Sequence, residues 1–236
     1  MPRVSREQTA ANRQTIEEVA ARLFREHGID GVSVADLMGA AGMTHGGFYG
    51  HFESKDALAA VACSHAFAQS AQRRERWSRR APDGTAALRE FTERYLSNRH
   101  RDDAGQGCPA VALAADVARQ APAAPVRAAY AAGVSSMAGN IARMLGEAGT
   151  MPSHAGAAHA ADPAVRSAAL ARMATMVGAV ILARATEGDA LSAEILAAAR
   201  AALAGPAESV DSIASAEPAR GIDPAPPATR PDTPAS

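Results

Sequence analysis

Residues 15–58 read TIEEVAARLFREHGIDGVSVADLMGAAGMTHGGFYGHFESKDAL, and caps and glycines cut that stretch into four helical phrases. Ile16, Val19, Ala20, Leu23 and Phe24 fall at i, i+3, i+4, i+7 and i+8, the spacing of one apolar helical stripe. This predicts a first helix over 13–27. Gly28 is placed to end it in the left-handed conformation that glycine adopts at no steric cost. Ser33 has a side-chain oxygen suited to the free N–H groups of a helix start, and Asp36 follows in the first turn of a second helix that reaches Ala40. Ala41, Gly42 and Met43 make a tight turn. Thr44 opens a third short helix carrying Phe48, Tyr49 and Phe52. Ser54 opens a fourth, predicted to run to about Arg80, with Asp56 at its positive end. Helix, glycine turn, helix is the helix-turn-helix plan. It is a weak signal alone, but Val34, Leu37, Met38, Phe48 and Phe52 are spaced to cover Leu23 and Phe24 and so complete a three-helix core.

Outward from this head the pattern stays helical. Residues 1–10 read as a loose polar arm. Ala81-Pro82-Asp83-Gly84 is a turn, followed by a helix over about 85–97 and a polar loop to Gly107. Pro109 suits a first helical position and predicts a helix over 109–119. A long stripe of Val126, Tyr130, Gly133, Val134, Met137, Ile141, Met144 and Leu145 predicts a helix over 125–147. Residues 149–162 form a Gly/Ala/His loop. The helix predicted at 163–186 is apolar all round, so two of its faces need cover, and a last helix is expected at 192–203. From Gly205 onward the chain holds seven of its fourteen prolines, a composition expected to be disordered. The resulting division is a head over 1–53, a helical body over 54–204 and a Pro/Ala-rich tail over 205–236, with about nine helices in an all-α fold.

The totals agree. The 236 residues are 47% apolar and 4% aromatic and rich in alanine, the best helix former. Net charge is −1, and residues 1–56 hold eight acids against six bases. Contact with nucleic acid would therefore rest on where charges sit and not on their sum. Arg73, Arg74, Arg76, Arg79 and Arg80 form the densest basic cluster, read as a solvated or interface-facing helix end. Two cysteines, Cys63 and Cys108, make no disulfide framework, as in a reducing cytoplasm. The N-terminal residues lack the apolar run of a signal peptide. The most apolar run, between Arg172 and Arg184, spans 11 residues against about 20 for a membrane crossing, so no membrane association is expected. No phosphate-binding glycine loop, nucleophile elbow or HExxH is present, which argues against an enzyme. No cofactor is implied. His154 and His159, with only Asp162 near, do not make a metal centre.

Residues 15–58 resemble the N-terminal domain of the TetR/AcrR family of transcriptional regulators. Ala20, Leu23, Phe24, Gly28, Val34, Ala41, Gly42, Gly46, Tyr49, His51, Phe52, Lys55 and Leu58 match that family's pattern in register. Met38 stands where isoleucine is usual, Gly47 where a small polar residue is common, and His45 where serine, lysine or arginine is frequent. The resemblance implies that the Thr44–His51 segment enters a major groove of double-stranded DNA. His45 would read a base edge, with Thr44, Gly46, Tyr49 and His51 on the backbone. Lys55 at the start of the fourth helix, Ser33, and arginines of the N-terminal arm (Arg3, Arg6, Arg13) are further candidates. The plainer alternatives are a half-buried spacer for Tyr49, an idle exposed ring for His45, a solvated charge for Lys55 and a disordered arm.

The same resemblance implies that the rear helices, at about 163–186 and 192–203, pair two copies on a palindromic operator. It also implies that the body encloses a small-molecule effector. Phe67, Trp77, Phe91, Tyr95, Tyr130, Met137 and Met144 are candidates to line that pocket, and core packing explains them equally well. Cys108, before Pro109 at a helix start, is a candidate redox sensor or an inert small residue in a turn. A helical adaptor that keeps the shape without binding DNA is the remaining alternative.

Overall fold

The computed structural model describes residues 6–146 and 162–205. Every regular element in them is helical: α1 (Arg6–His27), α2 (Val34–Ala40), a 3-10 helix (His45–Gly50), α3 (Lys55–Ser78), α4 (Gly84–Tyr95), α5 (Asn98–Asp102), α6 (Pro109–Ala112), α7 (Ala114–Arg119), α8 (Pro125–Gly146), α9 (Pro163–Ala185) and α10 (Ala190–Ala204). The all-α expectation holds, with eleven elements among the described residues in place of about nine. Arg3, His154, His159 and the tail beyond Gly205 lie outside the described residues.

Caps set the helix starts. Ser33 accepts from the Asp36 N–H while Asp36 accepts from the Ser33 N–H, a reciprocal capping box. Ser54 accepts from the Ala57 N–H, and Asp83 from the Ala86 N–H. Gly28, at φ +79°, ends α1 as expected.

Three boundaries differ from the sequence reading. The arm is helical from Arg6, because Glu7, Gln8 and the residues after them continue the α1 backbone ladder without an apolar stripe to signal it. Residues 98–102 form a short helix capped by Ser97, again with no buried side chain to announce it. The helix expected over 109–119 is broken at Leu113. Ala110 and Val111 face one hydrophobic core, whereas Leu113 and Val117 face another, and a single straight helix does not serve both.

Those two cores organise the molecule. The first gathers Ile16, Phe24, Leu37, Met38, Phe48 and Phe52 around Leu58, Cys63 and Ala66 of α3, and closes on Leu113, Val117 and Val126. It therefore runs past residue 53 into the first three turns of α3. The second lies between α4, α8, α9 and α10, around Leu88, Phe91, Leu96, Met137, Ile141, Met176, Val180 and Leu196. Phe67 packs on both.

By length and composition α9 is long and apolar enough to cross a membrane, with mean hydropathy 1.5 over its best window. The 11-residue count stopped at Arg172 and so understated it. One third of that window is buried within the protein, where α9 packs between α8 and α10.

Candidate functional site

The segment after α2 is held by two buried rings. Phe48 is fully buried and Phe52 nearly so, stacked with centroids 5.9 Å apart. With those rings turned inward, Thr44, His45, Gly46, Gly47, Tyr49 and Gly50 are left on the outside. Tyr49 is 68% exposed, with its ring edge-on to Phe48, and is no half-buried spacer. The expected short helix is present and is a 3-10 helix. The Gly47 N–H bonds back three residues to the Thr44 carbonyl, and three glycines in six residues weaken any preference for the wider helix. Thr44 occupies the cap position, but its side chain makes no capping bond, so its hydroxyl faces outward uncommitted to the helix.

The surrounding charges divide into used and unused. Arg13 does not trail freely. Its guanidinium lies 4.2 Å over the Phe52 ring, pairs with Glu17 at 3.0 Å and donates to the His51 carbonyl, so it clamps the end of the 3-10 helix onto α1. Ser33 is exposed, but its hydroxyl is taken by Asp36 at 2.6 Å. The bond pulls the Asp36 carboxyl below its usual range. Lys55 stands half-buried at the first turn of α3 with no ion pair among the described residues.

Behind the head, α3 and α8 flank a groove in two connected parts. The first has a volume of about 280 Å³, floored by Phe67, Cys108, Gly133 and Met137 and opening between Ser64 and Ala132. The second, about 230 Å³, lies beside Ser78, Asn140, Arg143 and Met144, and Ala71 and Arg74 belong to both. Of the aromatic and methionine candidates only Phe67, Met137 and Met144 line this space. Phe91 and Tyr95 are buried in the second core. Tyr130 donates to the Ala110 carbonyl at 2.8 Å, and its ring sits edge-on to Phe67. Trp77 lies under the Arg94 guanidinium at 4.8 Å. The walls are instead small residues: space is where large side chains are missing. The arginine cluster is also not uniformly solvated, since Arg73 donates to the Gln106 carbonyl at 2.7 Å and Arg74 turns to the groove.

The family model described as "Bacterial regulatory proteins, tetR family" matches residues 16–62, the same α1 to α3 framework that exposes Thr44–His51. Over those residues the chain is similar to the TetR family's N-terminal domain. An HTH-type transcriptional repressor of Mycobacterium tuberculosis is 45% identical over 58 residues, 25% of this chain and 31% of the repressor. The chain thus spans under a third of the length of the curated relatives it matches. Solved structures extend the likeness in fold. A TetR transcriptional regulator from Chloroflexus aurantiacus superposes with a TM-score of 0.66 at 26% identity, covering 84% of this chain and 94% of that one. A TetR-family regulator from Cytophaga hutchinsonii gives 0.67 at 21% identity over 86% and 98%.

The head and the groove are joined by polar contacts that the sequence did not announce. Asp116 of α7 accepts the Ile29 N–H at 2.9 Å, directly after α1 ends, and a side chain at Gly28 would press within 2.7 Å of the same carboxylate. Arg25 is buried and donates to the Gly107 carbonyl at 3.3 Å and to Gln69 at 3.1 Å, while its Nε finds no partner. Burial, with Arg73 close by, brings its pKa down to about 10. The signal was an arginine one helical turn from Ala21 on the buried side of α1. His100 takes the Cys108 N–H on Nε2 at 2.9 Å and meets the Tyr95 carbonyl at 2.6 Å through Nδ1. That arrangement fixes a neutral Nδ1–H tautomer, and burial presses the ring's pKa down to about 4. Cys108 is buried, caps α6 by position without a side-chain bond, and has its thiol 3.9 Å from Met137 Sδ. Burial pushes the Cys63 thiol up to about 12.

Proposed function

We propose that this chain is a dimeric DNA-binding transcriptional regulator of the cytoplasm, a repressor that leaves a palindromic operator when a small molecule fills the α3–α8 groove. The observation that carries the reading is the exposed strip of Thr44, His45, Gly46 and Tyr49 standing on the buried Phe48 and Phe52. It supports insertion into a major groove, with Tyr49 and His51 anchoring phosphates, His45 at base edges and Lys55 pairing at the start of α3. The names of the curated relatives, a repressor and a regulator, point the same way.

Pairing rests on the outer face of α9. Leu170, Ile181 and Leu182 are exposed there, with Ala171, Ala174, Thr175 and Ala185 between them, and α10 continues the face through Leu191, Ala197 and Ala201. A two-fold axis through that face would set the spacing of two reading strips. Control from the groove is supported by the 105–116 segment. It carries Cys108 on the groove floor and Asp116 against the end of α1, so a shift at one end is felt at the other.

Selection of duplexes from a random pool tests the reading. A palindromic consensus is expected. Tyr49→Ala and Lys55→Ala are each expected to weaken it by about tenfold, and the lysine change to lower the salt slope by about 1. Parent-like binding by both variants would remove the anchor assignments. Indifference to every duplex would favour the helical adaptor.

Control through Cys108 is a second reading, favoured by its thiol lying on the groove floor beside Arg74. It requires that alkylation by a maleimide release the parent from duplex and leave Cys108→Ser bound.

A further inference from the structure

We propose that the α3–α8 groove takes an amphiphilic organic monoanion, a small carboxylate with an apolar body, whose charged head sits between Arg74 and Arg143. This rests on the reading of the groove as the effector site and specifies the chemistry that the effector must have.

Charge compensation argues for it. Among the described residues Arg13, Arg22, Arg79, Arg94, Arg101 and Arg119 each pair with a carboxylate, of Glu17, Glu26, Glu75, Glu90, Asp102 and Asp116. Arg74 has none among the described residues. It is shared by both parts of the groove, and its nearest aromatic partner is Phe91, 5.5 Å below the guanidinium. Burial lowers its pKa and the neighbouring Arg143 lowers it further, so two cations face one space. Arg143 donates only to the Asn140 side chain, at 2.8 Å, and likewise makes no ion pair among the described residues. The one acid on the wall is Glu75, whose carboxylate is held by Arg79 at 2.7 Å. A half-buried guanidinium facing a wall whose acid is already paired with Arg79 favours an anion, and the planar fork of arginine fits a carboxylate with two parallel bonds.

The rest of the groove sets the body. Phe67, Ala68, Ala129, Ala132, Gly133 and Met137 make an apolar trough beside that head site. Gly133 matters sterically: a Cβ there would come within 2.2 Å of the Phe67 ring, so glycine makes room for that ring against α8. A volume of about 280 Å³ holds roughly nine water-sized units at about 30 Å³ each. That is enough for an eight-carbon chain.

Calorimetric titration of the full chain with octanoate and with 1-octanol tests this, since the two differ in charge and share a body. Octanoate is expected to bind about tenfold more tightly or better. Arg74→Met, which keeps the stem and drops the charge, is expected to bring octanoate to the octanol level while octanol binding stays put. Arg143→Met should give part of that loss. Equal affinity of the parent for the two probes would overturn the proposal, as would parental octanoate binding by Arg74→Met. Should Arg74→Met fail to fold, the octanoate-to-octanol ratio of the parent decides alone. Repeating the titration on protein held on its selected duplex separates the two readings. Octanoate that binds through Arg74 but leaves duplex affinity unchanged would overturn the effector reading and leave the anion site standing.

Discussion

Phe48 and Tyr49 are neighbours in the chain and opposite in duty. One ring is fully buried against Phe52, and the other stands in solvent with its hydroxyl unclaimed by the protein. Tyr49→Phe therefore separates two contributions to DNA contact. It keeps the ring's packing on Phe48 and removes the proposed phosphate donor, so an affinity loss close to that of Tyr49→Ala is expected in a duplex titration. A parental affinity would assign the role to the ring alone. His100 is the residue whose protonation bears on stability. Its ordinary value is about 6.5, and the fold holds it down to about 4. The unfolded chain takes up this proton as pH falls through 6.5, and the native state resists until about 4. Stability is therefore fully present above pH 6.5 and drains away between 6.5 and 4, by up to about 3 kcal/mol from this group. Denaturant unfolding across that window is expected to show a steeper pH slope for the parent than for His100→Gln. Equal slopes would mean that the ring is not the titrating group.

At the scale of elements, the 3-10 form of the reading segment is set by glycine. A Cβ at Gly46 meets nothing within 4 Å, so Gly46→Ala is expected to be sterically free and to stabilise the segment by up to about 1 kcal/mol. A raised midpoint in thermal unfolding would agree with this, and a lowered one would show that the glycine conformation is needed. The same contrast marks what the sequence made legible. The caps at Ser33 and Ser54, the stop at Gly28 and the inward pair Phe48 and Phe52 were readable because each depends on residues within a turn or two of itself. The narrow helix at 45–50 was not, because local patterning shows a helix and says little about its pitch. The links from Arg25 to Gly107 and from Asp116 to Ile29 join residues 82 and 87 positions apart. Nothing in either neighbourhood announces the other. The groove was less legible for a further reason: Phe91 and Tyr95 fill the second core and Trp77 lies against Arg94, while alanines and serines leave the room.

At the scale of the molecule, the proposed function requires the exposed face of α9 and the exposed strip at 44–49 to act together. Leu182 is 56% exposed on α9, so Leu182→Glu is expected to leave the fold within about 0.5 kcal/mol of the parent. By symmetry it would place two unpaired carboxylates in the proposed dimer seam. Sedimentation equilibrium should then show dimer dissociation rising by about 100-fold or more. An unchanged dimer would move the seam elsewhere. The head carries more acids than bases, so the proposed DNA binding would depend on both copies of the proposed dimer setting their few cations along one duplex. The most direct check is the binding of purified full-length protein to its selected palindrome, titrated over a range of salt concentrations with the stoichiometry read from the complex mass. Two protomers per duplex, with affinity falling steeply as salt rises, is the expected result. A stable monomer, or a complex whose affinity ignores salt, would contradict the account.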